Sequence, residues 1–116
     1  MYILQLLCFV LVRHPEMIIP LKNVTILPNQ DFDLNCLASS SGVLTYNWKK
    51  QDGNLPQTAV ESYIHTVFFN SLTNETTVGY NLKVQNAQPL DEGWYCCVAA
   101  NEAGSTTECA WLEINS

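Results

Sequence analysis

The residues able to do chemistry in this chain are five cysteines, two histidines, three tryptophans and a scatter of carboxylates. The cysteines are Cys8, Cys36, Cys96, Cys97 and Cys109, and none of them forms a C-x-x-C pair. His14 and His65 stand apart from the cysteines and from each other, so a zinc site has no ligand set to draw on. The sequence holds no Ser-His-Asp arrangement, no histidine-rich metal set and no phosphate-binding glycine loop. Asp31/Asp33 and Asp91/Glu92 read as solvated faces and a corner. The expectation is therefore a non-enzyme without cofactors, and any catalytic domain belongs elsewhere in a longer chain. Five cysteines in 116 residues point instead to an oxidising compartment, with one cysteine left over. Two N-x-[ST] acceptors, Asn23-Val24-Thr25 and Asn74-Glu75-Thr76, fit the same secretory route. Asn74, in a polar stretch, is the better candidate for glycosylation.

The elements that must position these groups are strands. "DFDLNCLA" (31–38) turns Phe32, Leu34, Cys36 and Ala38 to one face and Asp31, Asp33 and Asn35 to the other. "LTYNWKK" (44–50), "VGYNLKV" (78–84) and "CAWLEI" (109–114) alternate in the same way. Side chains of a strand point to opposite faces in turn, so these are strands with one face buried and one wet, the pattern of antiparallel sheets. Turn residues separate them at 27–31, 51–54 and 87–93, and Pro20 interrupts the first extended stretch, placing it on an edge where it changes partner. In "SYIHTVFFN" (62–70) two inward sets compete, Tyr63/Val67/Phe69 and Ile64/Phe68, and the register stays open. No stretch has helical periodicity. Several short antiparallel strands in about 100 residues make an all-β sandwich.

Residues 1–12, "MYILQLLCFVLV", are almost continuously apolar but too short to span a bilayer, which needs about 20 residues. No basic residue precedes this run and no small-residue cleavage site follows it. The leader, taken as 1–15, is an atypical signal peptide, a gene-model artefact or an unusual extra strand. The remainder, 17–115, is one domain. Five Lys+Arg against 11 Asp+Glu leave a charge of −6, which gives nucleic acid no basic patch to bind. No membrane span is expected within the chain.

Cys36, Trp48 and Cys97 lie on the inward faces of their strands, and the last closes the run Asp91-x-Gly93-x-Tyr95-x-Cys97, with Leu82 on the preceding strand. With these residues the chain resembles the immunoglobulin superfamily. "CVAANEAG" (97–104) is similar to the C-x-A-x-N-x-x-G hairpin of intermediate-set (I-set) domains. The resemblance implies an immunoglobulin-like Greek-key sandwich, with Cys36–Cys97 bridging the two sheets against Trp48. It also implies a tyrosine corner, in which the Tyr95 hydroxyl bonds back to the corner around Asp91 and Gly93. The Cys36–Cys97 interval is long for that set and leans toward the variable set, which puts an extra strand within 55–77. The arginine that pairs with the corner Asp in the variable set is missing, since Arg13 is the only arginine.

The doublet Cys96-Cys97 is resolved by parity. If Tyr95, Cys97 and Ala99 face inward, Trp94, Cys96 and Val98 face outward. A hairpin loop at Asn101–Gly104 then sets Cys96 opposite Cys109 and Trp94 opposite Trp111. Directly opposed Cβ atoms lie about 4.5–5.5 Å apart, close to the span of a disulfide. A second bridge, Cys96–Cys109, is expected on the outer face, and with Cys8 in the leader the other four cysteines pair off. The loop it closes is short, so its contribution is rigidity more than global stability. The Trp94–Trp111 pair is a candidate interaction patch, because exposed tryptophans are enriched at binding hot spots. The alternative is that the two rings simply stack on each other and on the disulfide, or are covered by the 55–77 segment, since cross-strand aromatic pairs stabilise a sheet without any partner.

Functionally the resemblance implies an extracellular or cell-surface protein-interaction module for adhesion, receptor recognition or matrix binding. Its partner is a protein, homophilic or heterophilic. The alternative is a structural spacer in a tandem array, either a receptor stalk or a titin-like intracellular filament.

Overall fold

A computed structural model of the chain describes residues 13–115, and within 65–67 the backbone alone. The leader expected over 1–15 lies outside the described residues as far as position 12. Pro15 is fully buried, and its carbonyl accepts a hydrogen bond from the Thr106 hydroxyl.

The described chain forms eight strands. They are β1 (Glu16–Met17), β2 (Val24–Ile26), β3 (Phe32–Ser40), β4 (Thr45–Lys50), β5 (Val60–Asn70), β6 (Glu75–Val84), β7 (Gly93–Asn101) and β8 (Gly104–Ile114). A single 3-10 turn, Pro89–Asp91, precedes β7. One sheet has the order β1-β3-β6-β5 and the other β2-β8-β7-β4. All neighbours are antiparallel except β2 and β8, which run parallel. The crossovers from β3 to β4, β4 to β5 and β6 to β7 pass between sheets, which is Greek-key connectivity. The immunoglobulin-like sandwich expected from the cysteine and tryptophan pattern is the fold.

The first extended stretch divides as its proline requires. Ile18 N–H still bonds to the Leu37 carbonyl at 2.9 Å in the first sheet. Pro20 has no N–H to continue the ladder, and the chain next pairs as β2 beside β8 in the second sheet.

The alternating strands meet face to face. Phe32, Leu34, Cys36 and Ala38 of β3 and Leu82 and Val84 of β6 pack against Tyr46 and Trp48 of β4, Tyr95, Cys97 and Ala99 of β7, and Leu112 and Ile114 of β8. The Cys36–Cys97 bridge crosses this core, with Cα atoms 6.3 Å apart, and so joins the sheets through their middle.

The extra strand expected within 55–77 is not formed. The added length goes into β5 and β6, a long hairpin closed by a turn at 71–74. The β5–β6 register shifts between Ile64 and Val67, where residues 65 and 66 have no counterpart on β6. This bulge is why no single alternation fits the segment. Tyr63, Val67 and Phe69 pair with Tyr80, Val78 and Thr76, the inward-facing series of β6, whereas Ile64 lies over Gly79 on the opposite side. A Cβ at Gly79 would stand 2.5 Å from Ile64 Cδ1, so the glycine makes room for the isoleucine. With no further strand beside β4, its free edge is closed by a side chain: Trp48 N–H donates to Glu61 Oε1 of β5 at 2.8 Å.

Candidate functional site

The corner before β7 sets how that strand enters the sheet. Gln88 N–H donates to Asp91 Oδ2 at 2.7 Å, and Asp91 N–H returns to the Gln88 carbonyl at 2.8 Å. The Tyr95 hydroxyl donates to the Asp91 carbonyl, which is the bond expected of a tyrosine corner. Burial, and then the negative charge of Asp91, push the Tyr95 phenol well above the ordinary tyrosine range. Gly93 carries φ +150°, and a Cβ there would meet Asp52 Oδ1 at 3.1 Å and Lys50 Nζ at 3.2 Å. Glu92 is bound as well, accepting the Ile114 N–H at 2.9 Å. Asp91 and Glu92 thus serve as backbone acceptors that tie the corner to itself and to β8.

From this corner β7 and β8 run as one ladder around a two-residue connection, Glu102-Ala103. Asn101 is paired with Gly104, Cys96 with Cys109 and Trp94 with Trp111. Asn101 Oδ1 accepts the Ala103 N–H at 2.8 Å, which fixes the turn and with it the register of the whole hairpin. Tyr95, Cys97 and Ala99 are buried in the core, while Trp94 on the alternate face is 43 % exposed. Cys96 and Cys109 are bonded to each other with Cα atoms 4.0 Å apart, slightly closer than the usual disulfide span. Cys96 faces away from the core yet is itself buried.

Rows of this outer face follow from the strand registers. One row runs from Cys109 of β8 through Cys96 of β7 to Lys49 of β4. Beside it Trp111 stands opposite Trp94 with ring centroids 5.4 Å apart and planes at 70°, an edge-to-face pair. On the far side, Val98 lies between Thr107 and Asn47. The face is an apolar centre of two indoles and a disulfide, bordered by Lys49, Asn47 and Thr107.

The sequon residues fall on different sheets. Asn74 is exposed in the turn between β5 and β6, with φ +57°. Asn23 is exposed just before β2, and its Oδ1 accepts the Trp111 N–H at 2.9 Å. The structure therefore brings together Trp94, Trp111, Cys96, Cys109 and Asn23, and leaves Asn74 apart. The association of Asn23 with the tryptophans has no signal in the sequence, because nothing there says that β2 lies alongside β8. Glu61 has no sequence signal for a related reason: its partner is a backbone N–H at the edge of the other sheet. Tyr46 is a further residue whose role lay outside the strand pattern. Its hydroxyl donates to the Val78 carbonyl and accepts the Ala38 N–H, and burial raises its pKa to about 12. Among the described residues, no group of three or more His, Cys, Asp or Glu could hold a metal ion, and no helix is long and apolar enough to cross a membrane.

The profile of the Immunoglobulin I-set domain matches residues 15–114, nearly the whole described chain. The chain belongs to the immunoglobulin I-set family. This I-set domain is 28% identical over 104 residues to muscle M-line assembly protein unc-89 of Caenorhabditis elegans, covering 89% of this chain and 1% of that protein. It is also 28% identical over 102 residues to netrin receptor DCC of Rattus norvegicus, covering 88% of this chain and 6% of the receptor. The I-set domain thus spans only a small fraction of the curated relatives it matches. Among solved structures, titin domain M7 superposes with a TM-score of 0.69 at 20% identity, covering 88% of this chain and 94% of that one. The titin M3 domain does so with a TM-score of 0.66 at 23% identity, covering 89% and 98%. Identity at this level speaks to the fold. The I-set fold is a non-catalytic module, and its relatives include both a receptor and a muscle assembly protein.

Proposed function

We propose that this I-set domain is an extracellular protein-interaction module of a larger protein, and that it meets its partner through the outer face of the β2-β8-β7-β4 sheet. The observation that carries the reading is the pairing of Cys96 with Cys109 on that face, directly beside the half-exposed Trp94. A cross-strand disulfide outside the core is kept in an oxidising compartment and reduced in the cytosol. It stiffens the two strands that present the tryptophans, so the patch is ordered before any partner arrives, which lowers the entropic cost of docking. N-linked glycans on Asn74 and Asn23 belong to the same reading.

The second reading is a spacer in a tandem intracellular array. It is favoured by the similarity to unc-89. The two readings differ in one measurable respect. Peptide mapping of protein from its native tissue, with thiols alkylated at lysis and no reductant added, is expected to yield the peptides of Cys96 and Cys109 linked. Free thiols at both positions would overturn the extracellular reading and leave the spacer. For the contact face itself, W94S/W111S is expected to abolish binding of fluorescent tetramers of the domain to cultured cells while the fold stays intact. Unchanged binding by a folded double variant would show that the tryptophans serve only their own sheet.

A further inference from the structure

Asn23 is joined to the tryptophan row by a hydrogen bond that decides which of its atoms is free. In β2, Val24 is paired with Leu112 and Thr25 with Glu113, so the next position back sets Asn23 beside Trp111 on the outer face. The Trp111 N–H is a donor, and only an amide oxygen can accept it, as Asn23 Oδ1 does at 2.9 Å. That leaves Nδ2, the atom that carries sugar in an N-linked glycan, on the other arm of the amide, and it has no hydrogen-bond partner among the described residues. The anchoring bond and glycosylation are compatible, because the substituted amide keeps its carbonyl. Across the sheet the row reads Asn23, Trp111, Trp94, and then Gln51, whose N–H bonds to the Trp94 carbonyl at 2.9 Å. The two indoles are unequal: Trp94 is the more open, while Trp111 is only partly exposed.

We propose that Asn23 carries an N-linked glycan whose first sugar packs on Trp111, closing the β2/β8 half of the contact face and leaving the Trp94/β4 half to a protein partner. The inference rests on the secretory reading above. The modification forms a bond from Nδ2 to the anomeric carbon of a polyprenyl-diphosphate-linked oligosaccharide. The carbon–oxygen bond to the diphosphate breaks, the lipid diphosphate leaves with the electron pair, and Nδ2 loses one proton. In the folded domain the first sugar begins one strand away from Trp111, a lateral spacing of about 4.8 Å. A pyranose ring presents a face of C–H groups, and an indole presents a flat apolar surface of matching size. Fixing the amide by its carbonyl holds the linkage in one orientation, so the sugar is delivered to the ring. Asn74 lies apart from this face, in an exposed turn between β5 and β6 of the other sheet.

The test uses the full 116-residue chain secreted from cultured animal cells behind a supplied signal sequence. Glycopeptide mass spectrometry reads occupancy at Asn23 and Asn74. Glycans are then trimmed to a single N-acetylglucosamine, and NMR reads its contacts. The expected result is occupancy at Asn23, nuclear Overhauser contacts between that sugar and the Trp111 indole, and upfield ring-current shifts of its C–H protons. In Thr25→Ala, which removes the acceptor sequence but keeps the Asn23–Trp111 bond, the Trp111 indole signal should move and the Trp94 signal should stay. Thr25→Ser retains the glycan and should restore the wild-type spectrum. If Thr25→Ala fails to fold, full enzymatic deglycosylation of the wild type supplies the same comparison. Occupancy at Asn74 with Asn23 vacant, or an Asn23 sugar with the shifts of free N-acetylglucosamine, overturns this inference and leaves the secretory reading standing. Both sequons empty and both outer cysteines free would overturn the two together.

Discussion

The two long hairpins of the domain, β7–β8 and β5–β6, have nearly equal strands and are held in opposite ways. In β7–β8 every residue from Gly93 to Asn101 has a partner, in one register. β7 is then fastened on both faces, inward by Cys36–Cys97 and outward by Cys96–Cys109. β5–β6 carries a bulge between Ile64 and Val67 and no disulfide, and β5 leaves Val60, Phe68 and Phe69 largely exposed. It is held across to the other sheet by side chains, through Glu61 and through Tyr63 in a cluster with Tyr46 and Tyr80. One hairpin is therefore a rigid platform and the other a packed flap. The half that presents the proposed contact face is the covalently fixed one.

Breaking the inner clamp should have the largest effect. The bridge spans 61 residues, and closing a loop of that size restricts the unfolded chain by about 4 kcal/mol in the chain-entropy model. Cys36→Ala with Cys97→Ala is expected to lose about that much stability, read by guanidinium unfolding followed through tryptophan fluorescence. The outer clamp spans 13 residues, for which the same model gives about 3 kcal/mol as an upper value. Cys96→Ser with Cys109→Ser should cost less than the inner pair, and its distinguishing result is local. Hydrogen exchange should quicken along β7 and β8 while β3 and β6 keep their protection. If exchange instead rose evenly over both sheets, β7–β8 would not be a separately fixed platform.

The same contrast explains what could be read from the sequence. Strict alternation in 31–38 and 109–114 carries over into burial because each strand meets one core on one face, and in 78–84 it does so from Leu82 to Val84. The Cys96–Cys109 and Trp94–Trp111 alignments were legible because a tight turn propagates one register along the whole β7–β8 ladder. The β5 register was not legible, because residues 65 and 66 are extra and because Tyr63, Phe68 and Phe69, which between them belong to both competing sets, are all largely exposed. The link between Asn23 and Trp111 was hidden for a different cause. It joins residues 88 apart through a parallel pairing with no shared turn to set it.

High pH separates the two sides by their tyrosines. Tyr95 holds the corner of β7, and Tyr46 ties β4 to β6 through the Val78 carbonyl. Both phenols are raised by burial, Tyr46 to about 12 and Tyr95 further. Below the ordinary tyrosine range near pH 10, both are neutral in the folded and unfolded chain, and their contribution to stability is fully present. As pH rises past about 10, the unfolded chain releases protons that the folded chain still holds, so stability falls with pH. Denaturation midpoints are therefore expected to decline from about pH 10 upward. Tyr95→Phe and Tyr46→Phe should each make that decline shallower. A slope altered only by Tyr95→Phe would mean that the Tyr46 contact does not hold its side of the sandwich.

The smallest effect is expected at Glu61, and it bears most directly on how the flap is attached. Its carboxylate is the acceptor for the Trp48 N–H at the free edge of β4 and also faces the Tyr80 phenol, although the residue as a whole is exposed. Glu61→Ala removes the acceptor of that part-buried N–H, a loss of about 1 kcal/mol for a single hydrogen bond. Glu61→Gln keeps an acceptor oxygen at the same reach and should lose less. Because the contact ties β5 to β4 and to nothing in the β7–β8 ladder, the Trp48 amide and the β5–β6 amides should exchange faster in Glu61→Ala. The amides of Val98 and Thr107, farther along the outer face, should hold their rates. Equal acceleration at all of these sites would show that the hairpins open as one unit and that side-chain attachment and covalent clamping make no separable difference.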